Sequence, residues 1–318
     1  MTLEVMELNG LATIQDSGRT GWRRFGVPSS GPMDRFAFHA ANALVGNPLD
    51  DAVIEIGLGD ITFRAIQDCV VAVSGAGYGL SVYIWDFPLW GSFFLRSGWT
   101  IRLNKTDGGM WAYLAVAGGI QTSPVLGSRS TYLRGALGGF DGRGLQVGDR
   151  LKTRNPSRPL EELSAQTLPF DARPAYDESP TLDVIMGPQI NTFTDEGIET
   201  FLSNAYVVSL TSDRMGYRLE GPALAQRGRT ELISEGMIAG AVQVPPGGQP
   251  IVMMADCPTT GGYPKIATVA SAALPLLAQC TPNQSRIRFQ EITVAKAQKK
   301  YCALMNGLES RVVKQGDW

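Results

Sequence analysis

The stretch SDRMGYRLEGP, residues 212–222, has a near-copy close to the other end of the chain, SGRTGWRRFGVP at 17–28. Ser17 matches Ser212, Arg19 matches Arg214 and Gly21 matches Gly216. Trp22 stands for Tyr217, Arg23 for Arg218 and Gly26 for Gly221, and a proline follows in both. A second pair of blocks keeps the same order. GDITFRAIQDCVVAVSGA (59–76) lies on GAVQVPPGGQPIVMMADC (240–257), each an alternating apolar run, a polar turn and a second apolar run. Two blocks in fixed order predict two related domains. The first copy holds extra residues between its landmarks, about the length of a helix expected over 34–45.

Strand signals fill the rest. VVAVSGA, SVYIW, TIRL, WAYLAVAGGI, TLDVIMG, AYVVSL and IVMMAD are short, apolar or β-branched, and bounded by Gly, Pro, Asp or Asn. The 37 glycines and 19 prolines supply turns. A mainly β chain with few helices follows, as barrels or sandwiches. Besides 34–45, helix is expected at PLLAQ, with Pro275 in its first turn, and in EITVAKAQKKYCALMNGLESRVV near the end. The expected division is a first domain over 1–154, a Pro- and acid-rich linker over 155–180, a second domain over 181–290, and a C-terminal helix over 291–318.

Composition excludes several classes. The 318 residues carry a formal net charge of −2, which disfavours nucleic acid and anionic membranes as partners. No apolar run approaches a membrane span, and MTLEVMELNG is unlike a signal peptide. Four cysteines without a C-x-x-C pair suggest neither a zinc knuckle nor a disulfide framework. A soluble, reduced, cytoplasmic protein is expected. The single histidine, His39, rules out the usual multi-histidine metal sites and reads as a packed helical residue; no metal ligands are assigned.

The densest chemistry lies in ADCPTTGGYPKIA, 255–267. Asp256 ends an expected buried strand. Thr259, Thr260, Gly261 and Gly262 offer hydroxyls and close-approach N–H groups for an anion, with Tyr263 and Lys265 just beyond; an ordinary hairpin fits the same letters. Glu235 is a candidate acid or base, or a solvated edge residue, and Gln243 a candidate amide donor. Arg214 and Arg218, with Tyr217 and nearby glycines, can grip an anion, or pair with Glu220. Ser30 precedes a helix, as part of an anion-binding start, or the helix is plainly capped by Ser30 or Asp34. SGAGYG and GSRSTYLRG match neither nucleotide fingerprint.

Taken together, GRTGWRRFGVPSSGPMD, YLAVAGGI, GSRSTYLR, SDRMGYRLEGP, VQVPPGGQPIVMMAD and TTGGYPKIA resemble the allophanate hydrolase subunit 2 family, also called the biotin-dependent carboxyltransferase family. It includes the C component of bacterial 5-oxoprolinase. The resemblance runs from about Gly10 to about Phe289. It implies two tandem cyclophilin-like β-barrels and a hydrolase component working in a heteromeric complex. The implied partners are the B component, which is allophanate hydrolase subunit 1-like, and the A component of 5-oxoprolinase. The complex would use ATP with Mg2+ to activate a lactam, 5-oxoproline, for opening to L-glutamate. The resemblance equally admits a carboxyltransferase component using biotin, or a regulatory subunit antagonising a kinase inhibitor. No biotin-carrier lysine motif is present, so biotin would come from another protein. Asp213 stands where the family phrase often has Asn; an acid there would weaken an anion grip by Arg214. The resemblance puts the chemistry in the second domain, with Arg214, Arg218, Asp256, Lys265 and the 259–262 turn on the transferring group and Tyr217 and Tyr263 as walls.

Overall fold

The structure, a computed structural model, describes residues 1–228 and 232–314. The chain divides into two compact units. The first contains Met1–Arg19, Ser30–Ala175 and the described residues from Gly307; the second contains Thr20–Ser29 and Tyr176–Asn306. Residues 155–175, read from composition as linker, therefore belong to the first unit. The C-terminal residues 315–318 of the expected final helix lie outside the described residues.

The first unit is built on β1 (Leu3–Gln15), β2 (Val53–Ala65), β3 (Cys69–Gly75), β4 (Tyr78–Val82), β5 (Trp85–Phe87), β6 (Gly91–Leu95), β7 (Thr100–Lys105), β8 (Trp111–Val116), β9 (Arg150–Leu151) and β10 (Gln166–Thr167). With one late strand added they form a single eleven-stranded sheet. One helix, α1 (Arg35–Leu44), packs on it, and a single turn, α2 (Leu160–Leu163), lies farther along. Helix α1 starts where the sequence indicates, because Asp34 accepts a hydrogen bond from Ala37 N at 2.9 Å. Its approach is fixed by the buried Glu55 carboxylate, which accepts from Met33 N at 2.7 Å and from Tyr113 Oη at 2.8 Å. His39 is helical and half-buried, with Nδ1 3.0 Å from Leu49 O, and burial lowers its pKa.

The second unit is a closed barrel. Its strands are β11 (Thr181–Met186), β12 (Tyr206–Val208), β13 (Gly216–Glu220), β15 (Ala241–Gln243), β16 (Ile251–Met253), β18 (Lys265–Val269) and β19 (Arg286–Glu291), while β14 (Glu235–Gly236) and β17 (Thr260–Gly261) pair outside it. Spatial order is β11-β18-β15-β16-β13-β12-β19, closed by parallel pairing of β19 with β11. Tyr217, Val252, Val242 and Ala267 stand in one row across four strands. All are buried, each contributing apolar area to the core. Helices α3 (Asp195–Ser203), α4 (Leu274–Ala278) and α5 (Val294–Met305) accompany the barrel. Pro275 sits in the first turn of α4. The expected C-terminal helix stops at Met305, because Gly307 takes a left-handed φ of 70°. The chain then returns to the first unit, where β20 (Val313–Lys314) pairs with β10.

The mainly β, two-unit expectation holds, but two details differ. SVYIW is not one strand: Tyr83 and Ile84 form the turn between β4 and β5, with Tyr83 at a φ of 57°. The two copies of the opening phrase also fold differently. GYRLE is strand β13, whereas Arg23–Phe25 is a 3-10 turn, and residues 20–29 belong to the second unit rather than the first.

Candidate functional site

Arg214 and Asp256 meet first. Arg214 Nε lies 2.9 Å from Asp256 Oδ2 and Nη2 lies 3.2 Å from Oδ1, with both side chains at most 7% exposed. The guanidinium is thus committed to a bidentate, desolvated carboxylate. It is not an open anion grip, and Asp256 is not an open metal or donor ligand. Asp213 Oδ1 accepts from Met215 N and Gly216 N, so the acid builds the turn into β13.

Tyr217 and Arg218 part company because successive strand residues face opposite sides. Tyr217 points inside the barrel, where its Oη donates to Ala278 O at 2.9 Å, so it does not wall a surface pocket. Arg218 is exposed and lines a cleft of about 310 Å³ with Ser209, Thr211, Gln249 and Ile251. Its row continues through Ile251 on β16 to Gln243 on β15. Between Val242 and Gln243 the β15–β18 register shifts, which brings Lys265 opposite Gln243. Such bulges re-aim side chains.

Lys265 is buried along its stem, and Nζ lies 2.8 Å from Glu235 Oε2. Gln189 Nε2 donates to the same oxygen at 2.9 Å, while Gln189 Oε1 accepts from Lys265 N at 3.2 Å. Strands β14 and β17 pair Glu235 with Gly261 and Gly236 with Thr260. A Cβ on Gly261 would lie 2.4 Å from Met237 Cε and 3.2 Å from Gln243 Oε1, so a larger residue there would require the Met237 side chain to move. Gly261 and Gly262 do not take the left-handed φ of an anion nest, contrary to the sequence expectation. Tyr263 is half-buried in the same loop.

The structure therefore gathers Lys265, Glu235, Gln243, Gly261 and their neighbours Thr259, Thr260, Gly262 and Tyr263 around the outer end of β18. Arg218 stands along the same row, while Arg214, Asp256 and Tyr217 are buried supports. Ser30 is in the first unit, buried with a φ of 55°; Asp34, not Ser30, caps the helix. Sequence reasoning missed two residues. Gln189 had no motif to mark it. Arg23 was visible only as an aligned letter; it donates to Met237 O and to Pro258 O at 3.1 Å, and lies 3.8 Å from Cys257 Sγ. It thereby fixes the start of the 257–263 turn.

The Lys265 hydrogen bond and charge hold the Glu235 carboxyl below its ordinary pKa. A lowered folded-state pKa means that the pair's contribution is present above the unfolded value and is lost as pH falls through the folded one. Replacing Lys265 with methionine should return the Glu235 midpoint upward toward its ordinary 4.5, as read by carboxyl-carbon NMR titration. An unmoved midpoint would show that the pair does not form in solution. Two of the thiols are buried and not poised for reaction: burial pushes Cys69 and Cys280 up to about 12. Among the described residues no three His, Cys, Asp or Glu side chains gather as a metal site, and no helix is long and apolar enough to cross a membrane.

A large curled sheet and a closed barrel in one chain, with a polar row at the barrel's outer face, define the class. The chain belongs to the carboxyltransferase domain family, subdomain A and B, whose model matches residues 25–291. It is 36% identical over 299 residues to the C component of 5-oxoprolinase from Haemophilus influenzae, covering 93% of each chain. It is 37% identical over 300 residues to the C component of 5-oxoprolinase from Escherichia coli, with the same coverage. Among solved structures, the urea amidolyase of Kluyveromyces lactis matches with a TM-score of 0.90 at 29% identity. There the match covers 98% of this chain but 20% of the other.

Proposed function

We propose that this chain is the C component of an ATP-dependent 5-oxoprolinase, acting with the B and A components to open 5-oxoproline to L-glutamate. The observation that carries the reading is reciprocal coverage: the match spans 93% of this chain and 93% of each named C component, against one fifth of the urea amidolyase.

The chain's own part is to hold the lactam. Arg218, exposed beside the Ser209 and Thr211 hydroxyls, lies in a separate cleft three strands from Lys265 and takes no part in this reading. Gln243 and Lys265 donate to the lactam oxygen and Glu235 accepts from the lactam N–H. Once the partner components have activated the lactam with ATP, water adds to the carbonyl carbon, the C–N bond breaks, and the proton that the water gives up passes to the ring nitrogen, leaving it an amine. Lys265 stabilises the negative charge that builds on the carbonyl oxygen. Thr259, Thr260 and Tyr263 lie in the turn that leads into Lys265.

A triphosphate does not suit these residues as they stand. Arg214 already meets a buried carboxylate, and the 261–262 glycines form no nest. ATP and Mg2+ therefore fall to the partner components in this reading.

The test is ATP hydrolysis by the chain co-purified with its B and A components, with and without 5-oxoproline. Stimulation with glutamate appearing is the expected result. A stable complex without stimulation overturns it. Turnover only with a carboxylated biotin carrier would favour the second reading, a urea carboxylase-type carboxyltransferase, which the family model and the amidolyase fold support.

A further inference from the structure

Strand β13 carries a second polar face, on the outside of the barrel and apart from Lys265. Arg218 and Glu220 stand on it, both exposed, while Tyr217 and Leu219 alternate with them into the core. Both charges line the cleft of about 310 Å³, together with Ser209, Thr211, Pro245 and Pro250. Strand pairing places them there. Arg218 pairs with Ile251 on β16, and from the β12 side Ser209 N donates to Arg218 O at 2.8 Å. Two steps along a strand separate the Arg218 and Glu220 backbones by about 6.6 Å. Among the described residues neither side chain nevertheless enters an ion pair.

The hydroxyls beside the guanidinium suit an anion. Ser209 is 7% exposed; its Oγ accepts from Thr211 N at 3.3 Å and lies 3.2 Å from Thr211 Oγ1. Two hydroxyls carry two protons and their mutual hydrogen bond uses one, so one O–H is left for a ligand. Gln249 is closed on the backbone, accepting from Gly221 N at 3.1 Å and donating to Gly221 O at 2.9 Å. Pro245 and Pro250 bring no N–H and supply rigid apolar walls.

A ligand for this cleft must satisfy both signs at once. A plain anion drawn to Arg218 meets the Glu220 carboxylate, and a plain cation drawn to Glu220 meets the guanidinium. A zwitterion meets neither repulsion. We propose that the cleft binds a free α-amino acid, with its carboxylate on Arg218 and the remaining hydroxyl proton, and its ammonium on Glu220. Under the proposed reaction that amino acid is the product, L-glutamate; this identity rests on that reading. The lactam nitrogen is a neutral amide, so 5-oxoproline offers Glu220 no charge. The cleft thus separates product from substrate.

The experiment titrates the full chain with L-glutamate by ligand-observed NMR, and compares the wild type with Arg218→Gln, Glu220→Gln and Lys265→Ala. L-glutamate is expected to bind the wild type. Arg218→Gln and Glu220→Gln are each expected to weaken it at least tenfold, and both side chains are exposed, so the fold survives either change. Lys265→Ala is expected to bind as the wild type does, and added 5-oxoproline to leave L-glutamate in place. A wild type that does not bind L-glutamate overturns the assignment, as does binding indifferent to either cleft variant. Loss of binding in Lys265→Ala, or displacement by 5-oxoproline, also overturns it, because L-glutamate then sits at Lys265. The functional reading fails separately. L-glutamate held by the cleft of a chain whose complex opens no 5-oxoproline keeps the site and removes the reaction. Hydrolysis stimulated by 5-oxoproline in a chain that binds no L-glutamate does the reverse.

Discussion

Asp256→Ala is expected to lower the free energy of unfolding by about 3–5 kcal/mol. The cause is the guanidinium left behind. Arg214 is 6% exposed and loses both carboxylate contacts at once, so water cannot replace them cheaply. The pair ties the turn into β13 to the end of β16, where Asp256 N also donates to Arg214 O at 2.8 Å. Urea unfolding of the variant reads the loss. The double variant Arg214→Met with Asp256→Leu should regain most of it, because apolar replacement of a buried pair is often neutral or better. A loss below about 1 kcal/mol in Asp256→Ala, typical of exposed pairs, would show that water reaches the site.

Lys265→Ala is the second large effect, and it differs in kind. The ion partner here, Glu235, has a side chain 49% exposed, so water can take over when the ammonium is gone. The fold should therefore survive with a nearly unchanged melting temperature. Glutamate formation by the complex should fall at least tenfold, about 1.4 kcal/mol of transition-state stabilisation. A drop in kcat with KM little altered is the expected split, because the lysine acts on charge that develops during ring opening. Wild-type turnover would remove Lys265 from the machinery. Similar ion-pair geometry thus leads to opposite expectations, decided by the burial of the partner left behind.

Much of this was legible in the sequence. Asp34 announced the start of α1, and Pro275 marked the first turn of α4. Strand-rich reading of TLDVIMG and IVMMAD followed from β-branched runs between turn residues. What was hidden depends on pairing. Tyr83 and Ile84 carry the letters of a strand, yet they form a turn, because turn conformation there is set by the two strands it joins. Arg214 and Arg218 look equivalent four residues apart, but alternation along β13 sends Tyr217 inward and Arg218 outward, and only the three-dimensional approach of residue 256 decides that Arg214 is occupied. The phrase at 17–28 shows the limit most plainly. Its letters match 212–222, yet Arg23 lies in a turn while Arg218 lies in a strand. Gln189 was invisible because its role comes from a contact with Lys265 across 76 positions.

The assignment of residues 20–29 to the second unit has a consequence for how the chain is made. Arg23 emerges from the ribosome 234 positions ahead of Cys257, against which it settles. At about 5–20 residues per second, it waits roughly ten to fifty seconds for that surface to exist. The first unit waits as well, since β10 finds its partner β20 only at residues 313–314. The second unit is complete only once residue 306 exists and the first only once residues 313–314 do, so the first cannot mature as a template ahead of the second. The same interleaving means that a gene cut at residue 176 would yield two fragments that each lack a piece held by the other, and neither would be a faithful stand-in for its half of the intact protein.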